Sequence, residues 1–392
     1  YDARGNRTRI EYLSAALQPV ETAMGYSTIV YAYDMQDRCI SETYLDTNGK
    51  PHIISAGYAG IRYEYGIQGK VWRTTFVDTS GQPILFKDGY AASEYLYDEN
   101  QYIIRINYLD DLYNRIYINT GYSAVLRTVD KYGNILTETY LDLKDSPVKC
   151  NSGYASQRNT WDALGRIIKQ EYLDEEGRPV TLATEYSAVG YQYDNSDNLI
   201  RESYYNTKGN LTWCRYGYSE ITYTYDERNN CIEEHLLTTA GKPAIHTSSQ
   251  FSWLRREVDR DGRILSVKYF DVAGQPTFFS GQYAEVRYTY DLAGRETSIS
   301  YYDRYGNPYT ILRGYSRMTM AYNTIGNLTE EAYYDTEGNL VNTTMGYATV
   351  VYTYDALGNL ESERYYDTQA LGVVPKDETY ATMLVDHDEE GR

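Results

Sequence analysis

The residues that could do chemistry in this chain are few and poorly spaced for it. Four histidines, His52, His235, His246 and His387, stand at unrelated positions and make no metal-ligand spacing, so surface or turn roles are expected for them. There is no His-Glu-x-x-His pair, no phosphate-cradling glycine loop and no nucleophile elbow. The 55 Asp and Glu residues are spread too evenly for a catalytic pair to stand out. The run Asp386-His-Asp388-Glu-Glu390-Gly391 begins like a calcium loop, but the distal glutamate is absent and Asp388 to Gly391 aligns with a turn used elsewhere. No catalytic, cofactor-binding or metal-binding residue is assigned, no cofactor is expected, and the chain is read as a non-enzyme.

Tyrosine is the abundant group, with 48 residues among 392. Its phenols could form a buried stack or an open ladder for sugar rings and choline-like cations. Their spacing is a repeat. A Gly-Tyr marker falls at Tyr26, Tyr58, Tyr90, Tyr122, Tyr154 and, with Glu before it, Tyr186, every 32 residues; it continues at Tyr218, Phe251, Tyr283, Tyr315, Tyr347 and Tyr380 after single-residue slips. Pairs such as Tyr31/Tyr33, Tyr63/Tyr65, Tyr223/Tyr225 and Tyr352/Tyr354 recur, as does a second column through Tyr44, Tyr108, Tyr140, Tyr172, Tyr204, Tyr301, Tyr333 and Tyr365. A fixed period of this length marks an array whose units bury apolar surface against their neighbours. The favoured reading of the columns is aromatic glue between units, because aromatic neighbours pair well across strands.

Turn chemistry frames each unit. The first Asp-x-x-Gly turn has glycine at its fourth position in nine of thirteen copies, with Asp37, Asp197, Asn229 and the poorly fitting Gln101 in the others. That set fits a left-handed backbone and a type I turn closed by a glycine bulge. A second turn lies twelve residues on, as in Asp46 to Gly49 and Asp335 to Gly338, and eight of the nine prolines follow it at one fixed spot. Between turns the text alternates with period two, as in Ile221-Thr-Tyr-Thr-Tyr225, which places both tyrosines on one face. One unit therefore reads as two strands joined by a hairpin, a second hairpin into a shorter strand, and a corner at Gly-Tyr.

The expected fold is all-β: tandem 32-residue β-hairpin repeats forming an elongated superhelical β-strip or solenoid. Residues 1–392 read as a single continuous array of about twelve units, cut from a longer protein. A one-rung solenoid of that size would be roughly 60 Å long and a hairpin strip roughly 115 Å along its contour; the hairpin-forming turns favour the strip.

The strings Tyr-Asp-Ala-Leu-Gly-Asn at 354–359, Tyr-Asp-Leu-Ala-Gly-Arg at 290–295 and Tyr-Asp-Ala-Arg-Gly-Asn at 1–6 resemble the Rhs, or YD, repeat family of bacterial surface and secreted proteins. The resemblance covers essentially the whole chain and implies a long antiparallel β-strip that coils into a superhelix or shell. The chain departs from that pattern in alternating twelve- and twenty-residue steps and in lacking an Asp-Pro-x-Gly core signature, which speaks against a toxin-enclosing cage. Phrases such as Tyr333-Tyr-Asp-Thr-Glu-Gly338 are more weakly similar to aromatic cell-wall-binding repeats.

A net charge of −18 opposes nucleic acid and anionic lipid as partners, and no apolar run is long enough to span a membrane. Cys39 and Cys231 share one repeat position and Cys150 and Cys214 another; all read as small core thiols, with a Cys214–Cys231 disulfide left open. The sequons at Asn6, Asn210, Asn327 and Asn342 are about as many as chance gives. The functional expectation is an extracellular or cell-surface structural or adhesive shaft that continues or self-associates through its array. The alternative is a repeat module that binds a glycan or cell-wall ligand through exposed tyrosines.

Overall fold

The computed structural model describes residues 1–13, 18–355, 358–376, 378 and 381–384. Among them every regular element is a β-strand, and all strand pairings are antiparallel. Contacts divide the chain into two compact units, Tyr1–Val189 with Asn206–Gly209, and Gly190–Tyr205 with Asn210–Gly391. Within the first, consecutive strands from Arg9–Glu11 to Ile167–Leu173 pair with one another in sequence order. The second repeats this meander from Leu199–Tyr205 to Thr382–Leu384. Two strands per repeat make a hairpin strip; this is not a one-rung solenoid.

One repeat shows why the sequence folds so. Strand Thr28–Tyr33 and strand Cys39–Leu45 pair with Ile29 opposite Tyr44, Tyr31 opposite Glu42, and Tyr33 opposite Cys39. Alternation puts these side chains on one face, while Thr28, Val30 and Ala32 meet Leu45, Thr43 and Ser41 on the other. The register slips between Ala32 and Tyr33, and the same slip recurs in the other hairpins. This is a second bulge beside the expected one, and bulges of this kind increase local twist.

The hairpin turn behaves as its composition predicts. Asp34 N–H donates to the Arg38 carbonyl at 3.0 Å, and the Asp34 carboxylate accepts from the N–H groups of Gln36 and Arg38. The fourth position is left-handed whatever occupies it: φ is 61° at Asp37, 66° at Asp197, 64° at Asn229 and 70° at Gln101. Gln101, the residue that fitted the expectation worst, takes the same conformation because the hairpin on either side imposes it.

The rest of the repeat departs from the sequence reading in two ways. The expected shorter strand shrinks to a single bridge, Leu45 with Pro51, repeated as Val77 with Pro83 and Leu141 with Pro147. Proline has no N–H to give, so the next residue donates instead, as His52 does to the Tyr44 carbonyl at 2.9 Å. The expected corner is a third full turn, in which Gly57 N–H donates to Ile54 and Ile54 N–H to Tyr58. Its double reversal folds residues 50–58 back over the tyrosine face, where Ile29, Tyr44, Ile54 and Ala56 form a buried cluster with Tyr26, Tyr31, Tyr58 and Ile61 around it. In the second unit the corresponding core is Ile311, Tyr315, Tyr333, Val350 and Tyr365.

Candidate functional site

The marker tyrosines and the second column interleave into one ladder. In the first unit the rings follow in the order Tyr12, Tyr26, Tyr44, Tyr58, Phe76, Tyr90 and so on to Tyr186, with centroids 4.4–6.3 Å apart at each step. In the second, Tyr269, Tyr283, Tyr301, Tyr315, Tyr333, Tyr347 and Tyr365 continue the pattern at 4.9–6.1 Å. Most contacts are tilted or edge-on, the arrangement that ring quadrupoles favour. Tyr44, Tyr140, Tyr204, Tyr333 and Tyr365 are buried. The columns are therefore core, as the favoured reading held; a ladder of open ring faces is not what they build.

The ladder explains a histidine. Leu236 stands where the second column should supply a ring, and His246 fills the break, 5.9 Å from Tyr218 and 5.8 Å from Phe251. Burial lowers its pKa. His246 opens the third turn, His246 to Phe251, at the position that Ile54 and Phe86 fill from the core side in other repeats, so its imidazole packs into the ladder instead of facing solvent. His235 stacks on Trp253 and meets the Glu233 carboxylate at 3.0 Å; His52 is exposed. Structure brings none of these together, and His387 with the Asp386–Gly391 run lies outside the described residues. Among the described residues no three His, Cys, Asp or Glu side chains could hold a metal. All four cysteines are free thiols, with Cys150 and Cys214 buried and Cys39 and Cys231 half-buried, so the disulfide left open by the sequence is not formed.

The paired tyrosines work differently from the ladder. The second of each pair reaches back to the preceding hairpin and donates its hydroxyl to a backbone carbonyl 26 residues earlier. Tyr33 bonds Arg7 at 2.9 Å, Tyr65 bonds Cys39 at 2.7 Å, Tyr97 bonds Val71 at 2.6 Å, and Tyr225 bonds Leu199 at 2.8 Å. Tyr290 and Tyr354 repeat it onto Ile264 and Leu328, and Trp161 does so onto Ile135 with its indole N–H. Apart from Arg7, which precedes the first strand, the accepting carbonyl belongs to the first residue of the return strand, where the bulge disrupts regular pairing. A buried carbonyl freed by a bulge needs a donor, and the next repeat supplies it.

A further column escaped the sequence reading. Glu42 accepts from the Tyr44 hydroxyl at 3.1 Å and from Tyr63 at 2.8 Å. Glu331 accepts from Tyr333 at 2.7 Å, Gln170 from Tyr172 at 2.7 Å, and Glu202 from Tyr204. The recurring Glu-x-Tyr spacing was the signal for it. Burial, and then these carboxylates, push the hydroxyls of Tyr63, Tyr204 and Tyr333 well above the usual phenol range. Phenol-to-carboxylate bonds of this kind let tyrosine be buried without an orphaned hydroxyl.

Third turns also stack on one another. Ser55 N–H donates to Met24 at 2.9 Å, Asn151 to Thr120 at 2.9 Å and Thr247 to Tyr216 at 2.8 Å, one backbone bond per step between neighbouring repeats. Asn119 and Asn151 add side-chain bonds to the carbonyls of Lys87 and Asn119. The approach is close: a Cβ on Gly217 would sit 2.8 Å from the Ile245 carbonyl oxygen. Gly89, Gly121 and Gly217 thus serve both a positive φ and the neighbour's proximity, whereas Gly25, Gly153 and Gly346 serve the φ alone. Among the described residues no helix is long and apolar enough to cross a membrane.

No family model matches the chain, and no curated protein matches it in sequence. Among solved structures it is similar to the TcdB2-TccC3 crystal structure, at 13% identity and a TM-score of 0.31 over 100% of this chain and 24% of that one. The mutated Photorhabdus luminescens Tc holotoxin pore gives 12% identity and a TM-score of 0.30 over 92% of this chain and 16% of that one. A porin-like protein from Bacteroides uniformis gives 12% identity and a TM-score of 0.23 over 82% of this chain and 93% of that one. The chain thus spans about a quarter or less of the toxin structures it matches.

Proposed function

We propose that this chain is a non-enzymatic, extracellular or cell-surface shaft, a YD-type repeat segment whose task is to hold other parts of a longer protein in place. The observation that carries this reading is the hydroxyl staple of Tyr33, Tyr65, Tyr97, Tyr225, Tyr290 and Tyr354, each onto a carbonyl 26 residues earlier. Each copy is spent joining one repeat to its neighbour. The same residues that would serve a ligand in an open ladder are committed to rings, carboxylates and carbonyls of the protein itself. A module that binds glycans through exposed tyrosines would need those ring faces free.

Experiments on producing cells and on the purified chain test it. Surface labelling and protease shaving of intact producing cells should reach the chain, and an intracellular location would defeat the extracellular reading. Small-angle scattering of the purified chain should report an elongated particle, and a glycan array should show no saturable retention. A compact particle, or tight binding to one glycan, would overturn the shaft.

A further inference from the structure

The position four residues before most marker tyrosines is a core position. It holds Ile54, Phe86, Ile118, Leu182 and Ile311 in other repeats, cysteine at Cys150 and Cys214, and threonine at Thr22 and Thr343. Thr343 is only 7% exposed, and its hydroxyl is buried with no hydrogen-bond partner. The exchange trades a large apolar side chain for a small one and strands a polar atom, which a well-packed core ordinarily avoids. Beside it lies a cavity of about 160 Å³, lined by Arg313, Tyr315, Tyr333, Thr343, Met345 and Tyr347. That is close to the roughly 150 Å³ of an engineered core cavity that admits benzene.

The lining fixes the chemistry of an occupant. Three tyrosines and a methionine thioether offer a surface for one aromatic ring. The Thr343 hydroxyl awaits a polar atom inside, Arg313 brings a guanidinium, and among the described residues no carboxylate lines the cavity. We propose that this gap in the core is a binding site for a single-ring aromatic carboxylate, with the ring among Tyr315, Tyr333 and Tyr347, the carboxylate paired with Arg313, and a ring substituent bonded at Thr343. Guanidinium suits such a group because it presents a planar fork to a carboxylate. The site is independent of the shaft role.

Calorimetric titration of the whole chain with 4-hydroxybenzoate tests this. Saturable binding at one site is expected. Thr343→Ile, which fills the gap with a residue the array uses at this position, should abolish binding and leave the melting temperature equal or higher. Thr343→Val, of the same shape without the hydroxyl, should weaken binding at least severalfold and serves if isoleucine does not fit. Arg313→Met should weaken 4-hydroxybenzoate about tenfold while leaving phenol unchanged. No saturable binding, which would leave water as the partner of Thr343, overturns the proposal. So does binding that survives Thr343→Ile, or equal affinity for phenol and 4-hydroxybenzoate.

Discussion

The two ends of one repeat are held in opposite ways. At the hairpin turn, Asp162 accepts from the backbone of Leu164 and Arg166 and from the Arg166 side chain, all within five residues. At the third turn, Asn151 reaches the carbonyls of Thr120 and Asn119 in the preceding repeat, and the rings of Tyr140 and Tyr154 sit beside it in the ladder. The first end closes mainly on its own aspartate, with lighter bonds to the next tip such as Asn6 to Asp37 and Asn198 to Asn229; the second is closed by its neighbours through rings and backbone. An array of this kind can vary the middle of the first turn more freely, and the hairpin tips do vary, from exposed Met35 and Ile67 to Asn195 and Arg260. It cannot vary the other end without disturbing two repeats.

Alkali and acid should separate the two ends, and alkali should act most severely. Burial raises the hydroxyl pKa of Tyr44, Tyr108, Tyr140 and Tyr333 above the ordinary phenol value. A group raised in the folded state contributes stability that is intact below its unfolded pKa of about 10 and is lost as pH rises beyond it. Phenolate absorbance should therefore appear cooperatively, together with loss of β-sheet circular dichroism, above about pH 11. Gradual titration of the phenols with the sheet intact would show that the ladder is open. In acid the sign reverses. The Arg166 backbone N–H lowers the Asp162 pKa, and the Asn230 side chain lowers that of Asp226. Their contribution is present above about pH 4 and lost as pH falls through the depressed folded values. Hydrogen exchange should then quicken at hairpin-turn amides before third-turn amides, and the reverse order would break the comparison.

Single substitutions sharpen it further. Tyr140→Ala should cost about 3–5 kcal/mol in denaturant unfolding, as for other large-to-small core changes. Gly217→Val should cost roughly 3 kcal/mol, since positive φ and the Ile245 carbonyl both oppose it. Gly165→Val, at a hairpin turn where φ is 78° and nothing lies within 4 Å of a new Cβ, should cost only about 1 kcal/mol. Equal losses at the two glycines would show that the neighbour's approach does not matter. Tyr354→Phe removes one staple and keeps the ring, so about 1 kcal/mol is expected, with faster exchange confined to the bulge at Leu328. Chelation with EDTA should move the melting temperature not at all; a large fall would return calcium to consideration.

Much of the hairpin end was legible in the sequence because its physics is local. Asp, the left-handed fourth residue and period-two alternation sit within a dozen residues, and even the substitutes Asp37 and Asn229 announce the backbone they adopt. The bulk of the ladder was legible as periodicity. What escaped was everything that joins residues of different repeats: the hydroxyl of Tyr65 on the carbonyl of Cys39, Thr247 on Tyr216, and His246 standing in for a missing ring. A strict period gives every repeat the same text, so it cannot say which neighbour a side chain addresses. Gly-Tyr read as a corner although the bonds that make it a third turn are local, from Gly57 N–H to Ile54 and from Ile54 N–H to Tyr58.

The staple from Tyr65 to Cys39 also has a direction, and direction matters to a chain that leaves the ribosome from one end. Each stapled hairpin is finished only by the one made after it, so the newest of these waits with its carbonyl unclaimed. Synthesis then proceeds as a zip that closes one tooth behind the growing end. Its counterpart in length is the whole repeat: adding or removing a complete 32-residue unit would return each hydroxyl to an equivalent carbonyl, whereas half a unit would orphan the hairpins on both sides of the cut.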